Sequence, residues 1–342
     1  MFLINKIMKR IIGISFLIIT ASYSYAQQIP QFSQYQRNQF MVNPAAAGVY
    51  GFTDVTISGR MQWQGFANAP TSSYASVCAP ISKIGKVKYN PSLRMSSGPV
   101  ISPEVETGKL KHAIGGQLAT DDCGAFRKVS FSGTYAIHLP LDQAHKYNLS
   151  FGAKVGLTNN SFLQDKAVVL NPSTDVTYTN FIGDKSNQNI LNIGSGLYLY
   201  STKLFVGISA DQLTRDMVTF GNTSNNFDNQ IHAFFTAGYK VIDKPTFTLT
   251  PSLLVKYMPN APLSIEGSVQ GVFGNRFWAS VSYRNTDAII GALGLTISNK
   301  FKFVYSYDYT VSNLRNYSNG THELVLGIML GRNVSTSSIP SL

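Results

Sequence analysis

Arg60, Arg284, Asp308 and Glu323 each occupy a polar position in stretches where apolar and small residues otherwise alternate, in a chain whose charged fraction is only 13%. Two guanidinium groups and two carboxylates in such surroundings must pair, because a buried charge without a partner costs several kcal/mol. The chemistry they offer is ionic fastening. Groups that make or break covalent bonds are harder to assemble. The five histidines, His112, His138, His145, His232 and His322, are scattered, and none stands in a nucleophile arrangement with a nearby Ser or Cys. His138, which shares a stretch with Ser130 and Ser132, is the best hydrolase candidate, and a polar wall position explains it better. Asp121-Asp122 reads as a solvated turn rather than a cation site, and no glycine-rich phosphate loop follows a strand. Cys78 and Cys123 have no His or second Cys at ligand spacing, so neither a metal nor a cofactor is expected; whether the two pair is open.

The elements that must position these residues are strands. In YNLSFGAKVGLT, Tyr147, Leu149, Phe151, Ala153, Val155 and Leu157 share one face, and Asn148, Ser150, Gly152, Lys154, Gly156 and Thr158 the other. VSFSGTYAIHL, FTLTPSLLVKY and LSIEGSVQGVF alternate in the same way, with Lys256 and Glu266 on polar faces. A sandwich would turn charged residues to water on its polar face. Here that face is mostly Gly, Ser, Thr and Asn, as in side chains sharing a lumen. Charge is about half the usual share, Tyr (18) and Phe (21) are abundant, and beyond the N-terminus no apolar run is long enough to span a bilayer as a helix. Together these predict an all-β, up-and-down antiparallel transmembrane barrel of about 14 strands. The strands begin near Gly51, Thr71, His112, Lys128, Lys146, Gln188, Lys203, Ile231, Pro245, Leu263, Arg276, Ala288, Lys300 and His322.

Short turns at Ser201-Thr202, Gly274-Asn275 and Ser298-Asn299 alternate with long polar loops, Asn159–Asn187, Gln212–Asn229 and Thr310–Thr321. In outer-membrane barrels the long loops are extracellular, and an even strand count then leaves both termini periplasmic. Ser82–Lys111, long, basic and carrying Pro91, Pro99 and Pro103, is an insertion on the short-turn side. Where the barrel closes, the first and last strands meet. Arg60 and Glu323 are therefore expected as neighbours across the seam, with Asp308 one strand further, in a lumenal cluster with Arg284 that fixes closure or a plug.

The N-terminus has a basic start (Lys9, Arg10), an apolar run Ile11–Ile19 and a small-x-small site ending at Ala26, the pattern of a secretory signal peptide over residues 1–26. The net charge is +11, and +8 once Lys6, Lys9 and Arg10 leave with it. The basic residues are dispersed, so nucleic acid is not an expected partner. A leader, 27–50, precedes the barrel at 51–331, and a tail, 332–342, follows it. The leader contains QFSQYQRNQFMVNPAAAGVYG, too rich in amides for a core element and too aromatic for a solvated tail. It is expected to be partly plug and partly periplasmic docking segment, with Gln31, Phe32, Ser33, Gln34, Tyr35, Asn43 and Pro44 as contact residues and Phe32 and Tyr35 wedged between strands. Ordering so many residues requires real contacts in return.

These stretches carry a resemblance. Gln31–Tyr35 (QFSQY), Asn43–Gly48 (NPA-x-AG), the outer-loop set Gln62, Trp63, Gly65, Phe66, Ala69 and Pro70, then Ser282–Arg284, Tyr305–Asp308 and Gly320–Glu323 stand in the order and spacing of the PorP/SprF family of Bacteroidota outer-membrane proteins, linked to type IX secretion and gliding motility. The resemblance spans Gln31 to about Gly331; Ala46 replaces a frequent Tyr, and the 82–111 insertion is longer than usual. It implies a non-enzymatic barrel in outer-membrane lipid that exports or attaches a large surface adhesin bearing a type-B C-terminal secretion domain. It also implies periplasmic type IX components or a peptidoglycan-binding OmpA-like protein as further partners. The competing readings are a diffusion porin or small-solute transporter, and, behind it, a membrane-embedded hydrolase using Ser132 and His138.

Overall fold

The computed structural model describes residues 31–331, apart from 67, 82–109, 143–146, 183–185, 216–218, 221–228, 275 and 299. The signal-peptide segment, nearly all of the 82–111 insertion and the 332–342 tail thus lie outside the described residues. The alternating stretches form strands β1 (Thr53–Met61), β2 (Thr71–Pro80), β3 (Lys111–Cys123), β4 (Phe126–Pro140), β5 (Tyr147–Phe162), β6 (Asn187–Ser201) and β7 (Leu204–Asp211). They continue as β8 (His232–Tyr239, resumed at Ile242–Lys244), β9 (Phe247–Tyr257), β10 (Ser264–Phe273), β11 (Phe277–Arg284), β12 (Ala288–Ile297), β13 (Phe301–Thr310) and β14 (Thr321–Leu330). Each pairs antiparallel with the next, and β14 pairs with β1 from Thr53↔Leu330 to Met61↔His322, closing a barrel of fourteen strands. Every strand begins within two residues of its expected start.

Burial is inverted relative to a water-soluble protein. On β5, Ser150 and Thr158 are buried while Phe151, Val155 and Leu157 are more than half exposed. Phe131 and Val281 are likewise exposed on the outside. An apolar exterior around a polar interior is what lipid outside and a shared lumen inside demand. β8 carries a bulge: opposite β9, Gly238 faces Ser252 and Ile242 faces Leu249, so β8 advances four residues where its partner advances three.

The two ends of the barrel differ, with two departures from expectation. Asn159–Ser161 belong to β5, because Asn160 points inward and bonds to Gln188 and Asn229; the loop that follows holds the short helix α1 (Val176–Phe181), capped by Asp175. At the same end β3 and β4 are joined only by Gly124-Ala125, with Gly124 at φ +59°, so the alternation of short and long connections is not strict. Asp122 there is held by Arg127 through two bonds of 2.6 and 2.7 Å, and Asp121 accepts from Ser72 at 2.5 Å.

The cysteines do not pair. Cys78 is opposite Gly115 on β3, and Cys123 lies eight residues further along that strand. At about 3.3 Å per residue this is roughly 26 Å, far beyond the Cα separation a disulfide spans. Cys78 is buried and Cys123 exposed, so maleimide should label one thiol in the folded barrel, at Cys123, and both after denaturation. Mass spectrometry of the labelled peptides checks this.

Candidate functional site

The lumen is filled by the leader. The leader makes a 3₁₀ turn at Gln39–Met41, and a second 3₁₀ turn follows at Pro44–Ala46. Pro44 suits the first position of that turn because its missing N–H would be unpaired there anyway. Asn43 caps it, accepting from the Ala45 amide at 2.9 Å, while its own amide donates to the carbonyls of Leu197 and Ile208 at 3.0 and 3.3 Å. One side chain thus ends the turn and fixes it to β6 and β7.

Further contacts follow the chain across the lumen. Tyr35 shares its hydroxyl with Ser252 (3.0 Å) and Ser268 (3.4 Å), and Gln36 donates to Ser252 at 2.5 Å. Phe32 meets Tyr74 edge-on, and Asn38 donates to Tyr74 and Ser76. Gln117 donates to the Phe40 carbonyl, Tyr198 to the Gln39 amide oxygen, and Ser150 to the Ala45 carbonyl. His138 donates through Nε2 to the Ala47 carbonyl at 2.8 Å, leaving Nδ1 for the Tyr200 hydroxyl at 3.1 Å. Both nitrogens are taken by the leader and its neighbour, and none of the bonds described for His138 or Ser132 joins the two. The wall makes room with glycine: a Cβ on Gly152 would overlap the backbone of Pro44 and Ala45, one on Gly115 the Phe40 ring, and one on Gly196 the Asn43 side chain.

Two expectations are corrected here. Phe32 and Tyr35 do not wedge between strands: Ser252 and Ser268, both partners of Tyr35, are paired with each other in an unbroken ladder, and Tyr74, which Phe32 meets, is paired with Ser58 and Ala119 on its two neighbouring strands. Nor is the described leader a docking arm: Phe32, Ser33, Gln34, Tyr35, Asn43 and Pro44 are all buried inside the barrel. Gln31 bonds to Asp287, in the turn between β11 and β12 at the long-loop end, whereas Gly51 leads into β1 at the other end. The leader therefore runs the length of the lumen, from Gln31 at the long-loop end to Gly51 at the short-turn end.

At the long-loop end the leader is fastened by charge. Arg60, Arg284, Asp308 and Glu323 come together in the lumen, with Arg60 opposite Glu323 across the seam. Arg60 reaches Asp308 at 2.8 Å and Glu323 at 3.1 Å; Arg284 reaches Glu266 at 2.8 Å, Asp287 at 2.9 Å and Asp308 at 3.5 Å. Ser33 is the hub. Its amide donates to Glu323 and its hydroxyl to Asp308, both at 2.7 Å, while Arg60 and Arg284 donate to that hydroxyl at 2.7 and 3.2 Å. Glu266 and Asp287 were not expected in the cluster. The signal for Glu266 was available, since the short turn at Gly274 sets it opposite Arg284 in the β10–β11 hairpin.

The outer-loop set lies above this network and belongs to the seam. Gln64, within it, exchanges backbone bonds with Asn319 and Gly320 at 2.6 and 2.8 Å, and the Trp63 amide donates to Thr321. Phe66 packs against Tyr317, Gln62 donates to the Pro70 carbonyl, and Gly65 sits at φ +108° close to the Tyr317 carbonyl, where a side chain would be strained. Ala69 completes the loop before β2. The β1–β2 and β13–β14 loops are thereby tied together over the closing pair of strands.

A closed barrel with an apolar exterior, a polar interior and a lumen filled by its own N-terminal segment defines an occluded outer-membrane β-barrel protein. The model of the type IX secretion system membrane protein PorP/SprF family matches residues 24–328, and the chain belongs to that family. Among solved structures it is similar to the CymD monoaromatic hydrocarbon channel, with TM-score 0.50 and 11% identity over 86% of this chain and 91% of that one. It is also similar to the Ralstonia pickettii toluene transporter TbuX (TM-score 0.48, 8% identity, 86% and 93% covered). The Pseudomonas putida toluene transporter TodX is a further match (0.41, 8%, 90% and 94%). At such identity the likeness is one of barrel fold. Comparison with curated proteins gives no match.

Proposed function

We propose that this barrel is a non-enzymatic accessory of type IX secretion and gliding motility that attaches a large surface adhesin, or assists its export, through the adhesin's type-B C-terminal secretion domain. The observation that carries the reading, beside family membership, is the leader packed along the lumen. A wall whose glycines receive the leader, its backbone at Gly152 and its side chains at Gly115 and Gly196, suits a scaffold better than a passage for solutes. On this reading the long-loop end faces outward, and the loops 163–186 and 212–231 meet the cargo. The short-turn end, with the 82–111 insertion, faces periplasmic type IX components or a peptidoglycan-binding OmpA-like protein. On the same reading His138 serves to hold the leader, through the Ala47 carbonyl and Tyr200.

The test is a pulldown of the tagged barrel from its native outer membrane in mild detergent, with mass spectrometry of what accompanies it. A large surface protein in near-stoichiometric amount is the expected result. A barrel that comes down alone and conducts ions steadily in a planar bilayer would replace this reading with a diffusion porin.

A further inference from the structure

Beside the leader, along β7 to β10, the lumen keeps a cavity of about 90 Å³ that opens to solvent, and a second of about 60 Å³ lies along β3 to β5. Met41, Tyr74 and Asp211 line both. Phe32, Phe234, Leu254, Tyr257 and Met258 make the first cavity largely apolar. The charges around the pair are unequal. Lys256 lines the first, Lys128 and Lys154 the second, and Asp211 is the single carboxylate among the described lining residues. Asp211 is already paired with Lys154 at 2.5 Å, and Lys128 lies 2.7 Å from the Gln212 side-chain oxygen once that amide is turned to accept it.

Lys256 makes no hydrogen bond or ion pair with any described residue. The carboxylates of the Ser33 network are not part of the lining; one oxygen each of Glu266, Asp308 and Glu323 is held by Arg60, Arg284 or Ser33, and Glu266 on β10, opposite Leu254, stands near Lys256 without bonding to it. A second donor lines the same cavity from the leader side: Gln34 is only 5% exposed, and its amide nitrogen has no partner among the described residues. An ammonium and an amide N–H without acceptors among the described residues, set beside apolar walls, call for an acceptor that is negatively charged and carried on an apolar group.

We propose that this chamber binds a carboxylate on an apolar body, with Lys256 meeting the charge and Gln34 donating beside it. Two sources share that chemistry, a small free acid and the terminal carboxylate of a peptide entering from the long-loop end. The inference does not rest on the adhesin reading, since a barrel that attached nothing would still hold the site.

The experiment uses the intact barrel in lipid nanodiscs and isothermal titration with two probes, trans-cinnamate and the acetylated peptide Gly-Gly-Val-Leu-Phe with a free C-terminus. Their neutral counterparts, cinnamyl alcohol and the peptide amide, serve as references. At least one acid is expected to bind about tenfold or more tightly than its neutral counterpart, a difference of ~1.4 kcal/mol. Lys256→Met should erase the preference and Lys256→Arg retain it, with gel migration before and after heating reporting that each barrel is folded. Cinnamate alone would identify a small-acid site, the peptide alone a chain-end site, and both a site that reads the carboxylate itself. If neither acid binds, if acid and neutral counterpart bind alike, or if Lys256→Met keeps the preference, the proposal fails. The comparison on the unsubstituted barrel decides the matter even where the variant does not fold.

Discussion

Replacing Arg284 with Met is expected to destabilise the barrel by about 3–5 kcal/mol, the range for removing one partner of a buried ionic network. Arg284 contacts Glu266, Asp287, Asp308 and the Ser33 hydroxyl, and Glu266 and Asp308 are buried in the lumen. Without the guanidinium, Glu266 loses its only ion-pair partner among the described residues, and Asp308 is left with Arg60. Lys should not substitute well, because a single ammonium cannot reproduce a planar fork that serves Glu266 through Nε and Nη2 and Asp287 through Nη1. The double replacement Arg284→Met with Glu266→Leu should recover much of the loss, since it removes the uncompensated charge along with its partner. Equilibrium unfolding in urea, followed by Trp fluorescence in lipid vesicles, measures all four members of the cycle. A single variant within ~1 kcal/mol of the parent would mean that water reaches the network and that the four charges are independently hydrated.

The barrel was legible in the sequence because period-two alternation depends only on which face each side chain meets, and lipid outside with a shared lumen inside imposes that choice at every position. The register of the seam followed from the same arithmetic: placing Arg60 and Glu323 at like depths on the first and last strands made them neighbours, and they are. Glu266 was visible as a polar-phase residue, but its membership in the cluster needed the hairpin register about Gly274 as well as the phase. The path of the leader was not legible. Its amides and aromatics called for contacts, yet nothing in QFSQYQRNQF states which strands supply them. The glycines Gly115, Gly152 and Gly196 read in the sequence as ordinary small lumen residues; what makes them special is the Phe40 ring, the Pro44–Ala45 backbone and the Asn43 side chain packed against them. Likewise Ser33 carried no sequence signal as a hub, since its role comes from where Arg60, Arg284, Asp308 and Glu323 converge.

Those glycines make the plug testable, with the largest functional effect expected of any change considered. Fourteen strands stand between the eight that side chains fill and the sixteen that leave an aqueous channel, so the lumen depends on the leader for closure. Excising residues 31–50 should convert a barrel with no steady conductance into one with stepwise, ohmic conductance in planar bilayers. Excision also removes buried contacts from Phe40, Ala45, Ala46 and Ala47, so a gentler variant is needed beside it. In Gly152→Val the new side chain meets the backbone of Pro44 and Ala45, which cannot rotate away as a flexible side chain would. Overpacking of this kind typically costs about 1–3 kcal/mol, enough to favour displacement of a segment held mainly by hydrogen bonds. Gly133→Val is the matched control, because a Cβ there meets nothing within 4 Å. The expected pattern is raised conductance and protease cleavage within 31–50 for Gly152→Val, with Gly133→Val like the parent. If the excised barrel migrates as folded on gels and still conducts no better than the intact one, the leader is not what closes the lumen. If Gly152→Val leaves both conductance and cleavage unchanged, its grip on the wall lies in the Ser33 network and not in the glycine bed.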